Sequence, residues 1–212
     1  MLMFHTNPVD RNDVLKVIAC LSMLIDHIGY GFFPGVMIFR IIGRIAFPIF
    51  AYHVAIGVIH TRNINKYMLR LFLFGVISQI PYSLFFYNKP NIFFTLLLGI
   101  MAIDCYRNNR PLSTLVIGVA AQILNVSYGI YGVMLIFIFY IFREDQARTV
   151  THTLLLTWTY VLLTGYHFQI YSIFALLLIY MQHLPKAILN RYVFYSFYPV
   201  HIMVLFIIKK LL

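Results

Sequence analysis

Long apolar runs alternate with short polar segments along almost the whole chain. The segments between the runs contain turn-forming residues, such as Pro34 with Gly35 and Asn88 with Pro90. Because a helix of ~20 apolar residues crosses the ~30 Å core of a bilayer, the pattern predicts an all-α polytopic membrane protein, a bundle of about nine transmembrane helices. The predicted spans are 14–31, 36–60, 67–87, 91–106, 111–126, 129–142, 150–164, 167–182 and 191–210.

The composition agrees with this interpretation. Of the 212 residues 62% are hydrophobic and only 10% are charged, whereas a soluble domain has roughly 25% charged residues. No room remains for a soluble domain, so residues 1–212 are expected to form a single integral membrane domain. The polar start of the chain has no basic segment followed by an apolar core and a cleavage site. We therefore expect no cleaved signal peptide, and the first span would act as the targeting signal.

The 16 basic and 6 acidic residues would also suit a nucleic-acid-binding protein, but the basic residues are spread along the chain rather than clustered. We expect no nucleic-acid partner and interpret them as loop charges of a membrane protein. With a cytoplasmic N-terminus, the inside segments hold Arg11, Lys16, Arg62, Lys66, Arg70, Arg107, Arg110, Arg143, Arg148, Lys186 and Arg191, and the outside segments hold Lys89, Lys209 and Lys210. The positive-inside rule thus predicts an N-in/C-out topology.

Four ionisable residues lie within the first two predicted spans. Asp26 and His27 are near the outer end of the first span, and Arg40 and Arg44 share one face of the second, antiparallel span. An arginine in lipid is costly, so both should face the bundle interior and find an anion. Because Asp104 lies near the inner surface, Asp26 is the expected partner of Arg44.

Asp26 and His27 are consecutive, so on a regular helix their side chains diverge by ~100° and cannot pair with each other. We expect two separate roles, in which Asp26 fixes Arg44 and His27 faces a cavity as a base. In the last span His201 lies near mid-membrane, just after Pro199. A proline locally opens a helix, which is a common setting for a cavity wall.

A second group of basic residues lies at the predicted inner surface. Lys66 and Arg70 are one turn apart at the start of the third span, and Lys16 lies at the inner end of the first. This arrangement suits a phosphate-bearing ligand. Lys16 and His27 would be ~16 Å apart along a helix axis. The chain has no Walker loop, dinucleotide-binding glycine fingerprint, nucleophile-elbow serine or zinc motif, so nucleotide hydrolysis and a metal cofactor are not expected.

Several segments resemble the TraX family: LKVIACLSMLIDHIGY, RIIGRIAFPIFAYHVAIGVIHTRN, KYMLRLFLFGVISQIPYSLFF and FYSFYPVHI. The namesake of that family is a conjugation-associated membrane protein that N-acetylates the amino terminus of pilin. The resemblance is dense over the first 100 residues and good over the last 20, and the middle is similar only in hydropathy. It implies a multi-pass protein of the bacterial cytoplasmic (inner) membrane.

A more distant likeness concerns the mechanism. The lysine–ten residues–histidine spacing of the first span is similar to the basic-residue-to-histidine motif of the acyltransferase-3 membrane enzymes. KYMLRLFLF likewise resembles their basic segment before the third helix. This likeness implies a transmembrane acyltransferase-like fold with His27 as the catalytic histidine and with Lys16, Lys66 and Arg70 near the phosphates of an acyl-CoA. Lys16 and Lys66 stand where arginine is commoner in that superfamily.

The resemblances imply a membrane-embedded acetyltransferase that moves an acetyl group from cytoplasmic acetyl-CoA to an acceptor amine, a pilin-type N-terminus, on the outer face. His27 would be the general base, supported by Asp26 and Arg44, with Arg40 and His201 at the acceptor. Alternatives are an O-acetyltransferase of a cell-envelope glycan or lipid, and a non-catalytic membrane subunit of a conjugation or secretion apparatus. A transporter would more often show an inverted repeat, and none is visible.

Overall fold

The computed structural model describes residues 13–86, 89–181, 184–185 and 187–212, and across these ranges it contains helices and no strand. The helices are α1 (Val14–Phe32), α2 (Met37–Gly43), α3 (Ala46–His60), α4 (Ile64–Phe86), α5 (Ile92–Arg107), α6 (Pro111–Ile123), α7 (Gly129–Ile141), α8 (Gln146–Thr164), α9 (Phe174–Ile179) and α10 (Arg191–Leu211). A 3-10 helix, His167–Ile173, precedes α9. The prediction of an all-helical chain is confirmed.

Each predicted span contains a helix, but not every helix is long enough to cross a bilayer. Four segments have the length and apolarity for a crossing: Val14–Phe32, Met37–His60, Ile64–Phe86 and Arg191–Leu211. The apolar helices Pro111–Ile123, Gly129–Ile141 and His167–Ile179 are shorter. The chain is therefore a membrane protein, while nine crossings and the N-in/C-out orientation remain predictions. The polar start with Arg11, the span ends Tyr87 and Gln182, and Lys186 lie outside the described residues.

The second predicted span is interrupted in its middle. α2 ends at Gly43 and α3 begins at Ala46, and the amides of Arg44 and Ile45 bond to carbonyls three residues earlier. Pro48 is the third residue of α3 and lacks the amide that would continue the helical bonding back to Arg44. The break follows from this missing donor and leaves Arg44 between two helices rather than within one.

The helices α1, α10 and α4 lie side by side in the bundle, with α10 in the middle. α1 packs against α2, α3 and α10, while α10 also packs against α4. α7 lies against α3, α5, α6 and α8. Buried apolar side chains form one large cluster through the bundle, which includes Ile49, Leu71, Ile100, Leu135 and Ile202. A functional side chain on α1 therefore has neighbours from both ends of the sequence.

Candidate functional site

The ionisable residues of α1 and α2 surround a cavity of about 300 Å³, called here the histidine cavity. Its walls include Asp26, His27, Arg40 and Arg44, which the sequence analysis had singled out, together with Tyr82, Phe86, Lys89, Tyr128, Tyr160, Tyr166, Gln169 and Tyr198. The predicted convergence of Asp26, His27 and both arginines on one internal cavity is therefore observed.

Asp26 is the centre of the charged group in this cavity. Its Oδ1 lies 2.8 Å from the Nη2 of Arg44, which confirms the expected pair, and 3.0 Å from the Nη1 of Arg40. The Nε of Arg44 donates to the carbonyl of Arg40, and Nη2 of Arg40 lies 3.4 Å from the Tyr166 hydroxyl. Two guanidiniums thus share one buried carboxylate, which leaves an excess positive charge that suits a negatively charged reaction intermediate.

His27 has a partner that the sequence analysis did not identify. Its Nδ1 lies 2.8 Å from the Nε2 of His201, and the Nδ1 of His201 lies 2.7 Å from the Phe197 carbonyl oxygen. α1 is continuous through Asp26 and His27, so these neighbours diverge as predicted and contact different groups. Both histidines are buried.

The two histidines differ in their access to the cavity. His27 is part of the cavity wall, whereas His201 is not among the lining residues and stands behind it. The sequence predicts that His201 binds the acceptor, whereas its position behind His27 suits a different role. The His27 ring is also held edge-on by Phe86, at 4.6 Å between ring centroids, and by Tyr198, at 6.4 Å.

A second cavity, of about 670 Å³, is called here the basic cavity. Its walls include all three residues predicted to bind phosphate, Lys16, Lys66 and Arg70, and four further basic or imidazole side chains, His53, His60, Arg62 and Arg191. Its lining comes from α1, α3, α4, α5 and α10 and from the segment between α3 and α4. The prediction that Lys16, Lys66 and Arg70 lie around one site agrees with this geometry.

The three predicted phosphate ligands are not equally available. The ammonium of Lys16 lies 2.6 Å from a carboxylate oxygen of Asp13, and Asp13 is fully buried. The other carboxylate oxygen accepts from the amide of Leu189. Lys66 is exposed, while the buried Nε of Arg70 has no hydrogen-bond partner among the described residues. Lys66 and Arg70 are thus better placed than Lys16 to meet a phosphate.

The two cavities share a wall. Met23, Phe50, Ile92 and Tyr198 line both of them. A flexible side chain such as methionine at a wall of this kind can change rotamer at low cost. The basic cavity and the histidine cavity therefore adjoin each other along these largely apolar side chains.

Sequence reasoning missed several residues of these walls. Arg62 was interpreted as an ordinary loop charge, and Arg191 was only counted among the inside charges, yet both lie on the basic cavity. Tyr128 has a positive φ of 65° and stacks on Phe47, with 4.0 Å between ring centroids. A tyrosine in this conformation is rare and marks local strain. No local pattern identifies these positions, and the ion pair of Asp13 with Lys16 was likewise not predicted.

No cluster suited to a metal ion was found in the described ranges 13–86, 89–181, 184–185 and 187–212, where no three His, Cys, Asp or Glu side chains form such a group. The histidine cavity lies instead beside two polar groups. Asp26 with Arg40 and Arg44 is called here the arginine–carboxylate cluster, and His27 with His201 is called the histidine pair.

The chain is similar in sequence to known proteins. A protein of Dichelobacter nodosus named "probable fimbrial assembly protein FimC, serogroup H1" is 31% identical over 230 residues, which cover 90% of this chain and 92% of that protein. An uncharacterized protein of Rickettsia prowazekii is 35% identical over 105 residues, 49% of this chain and 40% of that protein. No solved structure matches. The family model described as "TraX protein" matches residues 11–209, and the chain therefore belongs to the TraX family.

Proposed function

We propose that this protein is an acetyltransferase of the bacterial cytoplasmic membrane that transfers an acetyl group from acetyl-CoA to an acceptor amine, such as a pilin-type N-terminus. One observation carries the proposal: His27 lines a cavity with a buried arginine–carboxylate cluster, and that cavity shares an apolar wall with a larger basic one. A transfer reaction across a membrane needs such a pair of compartments, one for the donor and one for the acceptor.

The basic cavity is the proposed donor site. Its volume of about 670 Å³ lies within the ~300–1,000 Å³ range of small-molecule and cofactor sites. The phosphates of coenzyme A would lie among Lys66, Arg70, Arg62 and Arg191, since guanidinium and ammonium groups form strong charge-assisted bonds to phosphate. The pantetheine arm of the donor would then extend toward the shared wall, which would bring its thioester near His27.

The histidine cavity is the proposed reaction site. His27 accepts the proton of the attacking amine while the amine nitrogen forms a bond to the thioester carbon. The carbon–sulfur bond then breaks, and the thiolate takes up the proton, so that the products are the N-acetylated acceptor and free coenzyme A. The guanidinium of Arg44 or Arg40 supplies positive charge for the oxyanion that forms between these steps.

The nature of the acceptor is supported by the family and by the name of a relative. The protein of Dichelobacter nodosus is named for fimbrial assembly, and fimbriae are built of pilin subunits. A free N-terminal amine of such a subunit fits the proposed chemistry. An envelope glycan or lipid hydroxyl would react by the same steps, with oxygen replacing nitrogen as the attacking atom.

A second candidate function is that of a non-catalytic subunit in pilus assembly, because the name of that relative mentions assembly and no reaction. The two candidates differ in what they require of the buried groups. A structural subunit needs them only for packing, so a His27→Gln replacement would leave fimbriation intact. An acetyltransferase needs a base at that position.

The deciding experiment supplies acetyl-CoA and a pilin-type peptide to the purified protein in detergent and measures coenzyme A release and peptide mass. Wild type is expected to add one acetyl group to a peptide with a free N-terminus and none to a peptide with a blocked one. His27→Ala is expected to remain folded and to lose the reaction. Turnover in that variant equal to wild type would refute the role of His27, and the absence of acetyl-CoA binding would favour the assembly function.

A further inference from the structure

We infer that His201 is a positioning residue, which holds His27 in the tautomer whose Nε2 is free to act as the base. This inference deepens the proposed function and depends on it for its catalytic consequence. It concerns a contact between α1 and α10, the 2.8 Å approach of His27 Nδ1 to His201 Nε2. The role differs from acceptor binding because His201 does not line either cavity.

The tautomer of His201 follows from its second contact. The Nδ1 of His201 lies 2.7 Å from the carbonyl oxygen of Phe197, and a carbonyl oxygen can only accept a hydrogen bond. His201 Nδ1 must therefore carry a proton. A neutral imidazole carries one ring proton, so the Nε2 of a neutral His201 is a bare acceptor.

The tautomer of His27 follows in turn. Because His201 Nε2 has no proton, the 2.8 Å contact is a hydrogen bond only if His27 Nδ1 donates. The proton of neutral His27 is then on Nδ1, and its Nε2 has a free lone pair. A backbone carbonyl one turn earlier on α10 thus sets, through two imidazoles, which nitrogen of His27 can accept a proton.

The opposite arrangement needs a doubly protonated His201, whose Nε2 would donate to His27 Nδ1 and force the proton of His27 onto Nε2. The charged groups that line the histidine cavity are Asp26, Arg40, Arg44 and Lys89, one anion and three cations. The uncharged groups packed on the pair are aromatic rings, including Phe86 on α4 and Phe197 and Tyr198 on α10. A further buried cation next to this surplus of positive charge is unfavourable.

In the transfer reaction the His27 Nδ1–H bond to His201 Nε2 remains in place. The proton of the acceptor amine moves to His27 Nε2, and the imidazolium that forms donates from Nδ1 to His201, which spreads its charge. The same proton then leaves Nε2 for the thiolate of coenzyme A. His201 gains and loses no proton, and its role is comparable to that of the residue that orients the histidine of a catalytic triad.

Three substitutions of His201 separate this role from simple packing. A glutamine can place its Oε1 where the Nε2 of histidine lies, so His201→Gln keeps an acceptor for His27. An asparagine can place its amide near the position of Nδ1, so His201→Asn keeps the bond to Phe197 but offers His27 no acceptor. His201→Ala removes both. We expect turnover to be retained largely in the glutamine variant and to fall by about 100-fold or more in the other two, the usual contribution of a general base.

The KM for acetyl-CoA should stay unchanged in all three variants, because His201 lies on neither cavity wall. Equal turnover of the glutamine and asparagine variants at equal melting temperature would overturn the inference. So would a loss that appears only as a raised KM.

A second measurement tests the tautomer of His27 directly and does not require an assay of acetyl transfer. The ring nitrogens of histidine-labelled full-length protein in detergent are observed by ¹⁵N NMR, and His27 is identified by its absence in His27→Gln. The Nδ1–H tautomer of His27 is expected in wild type and in His201→Gln and should be depleted in His201→Asn. The Nε2–H tautomer in wild type would overturn the inference. If the tautomer is as expected but no acetyl transfer occurs, the proposed function fails while the assignment of the histidine pair stands.

Discussion

Gly43 of α2 lies directly against the side chain of Asp26 on α1. A Cβ atom built on Gly43 would overlap both the Cβ and the Oδ1 of Asp26. Small residues let two membrane helices approach closely, and here the approach places a carboxylate against the helix that carries Arg40 and ends before Arg44. The absence of a side chain at Gly43 is thus part of the charged site.

This contact predicts that Gly43→Ala displaces Asp26. Overpacking of a tight contact costs about 1–3 kcal/mol, and a displaced carboxylate would also loosen its bonds to the two arginines. We expect a lower melting temperature and a loss of acetyl transfer. Gly35→Ala is the matched control because a Cβ there meets nothing within 4 Å; equal effects of the two substitutions would contradict the prediction.

The ion pair of Asp26 and Arg44 predicts non-additive effects on stability. Asp26→Asn leaves two guanidiniums without their carboxylate, and breaking a buried pair in this way costs about 3–5 kcal/mol. Arg44→Gln should cost less, because Asp26 keeps its 3.0 Å contact with Arg40. The double variant removes both charges of the pair and should unfold at a higher temperature than the Asp26→Asn single variant. A double-mutant cycle from thermal unfolding in detergent measures the coupling. Strict additivity would show that the 2.8 Å contact contributes nothing.

The basic cavity predicts a change in donor affinity rather than in chemistry. Lys66→Gln and Arg70→Gln each remove a charge near the proposed phosphates, so the KM for acetyl-CoA should rise while kcat changes little. Arg148→Gln is the control, because Arg148 is exposed and pairs with Asp145 away from both cavities. A fall in kcat with an unchanged KM would place Lys66 and Arg70 outside the donor site.

Lys16 should behave differently from Lys66 and Arg70. Its ammonium is already paired with the fully buried Asp13, so Lys16→Gln removes an ion pair to a buried carboxylate. The expected result is a lower melting temperature with a smaller rise in KM than Lys66→Gln causes. A large rise in KM at an unchanged melting temperature would instead assign Lys16 to phosphate binding, as the sequence resemblance implied.

The wall between the cavities predicts a change in acyl selectivity. Phe50 lines both cavities, and Phe50→Ala would widen the passage that the thioester must enter. The ratio of kcat/KM for butyryl-CoA to that for acetyl-CoA should rise by about tenfold or more, since each methylene in an apolar pocket is worth ~1–3 kcal/mol. Phe72→Ala, at an exposed position of α4, should leave the ratio unchanged. A constant ratio in Phe50→Ala would exclude this route.

The helical class, most helix boundaries and the pairing of Asp26 with Arg44 could all be predicted from the sequence. Each of these depends on local information: the length of apolar runs, the one-turn spacing of Arg40 and Arg44, and the cost of an unpaired charge in lipid. The membrane environment leaves few ways to satisfy such groups, so their partners follow from depth and from the small number of acids.

Which helices are neighbours could not be predicted from the sequence and is seen only in the folded protein. The contact of His27 with His201 spans 174 positions along the chain, and the basic cavity combines Lys16 with Arg191 from the far end. Lipid-facing and helix-facing surfaces are both apolar, so hydrophobic patterning does not tell one helix which other helix to pack against. The tertiary packing places α10 between α1 and α4 and thereby brings His201 against His27.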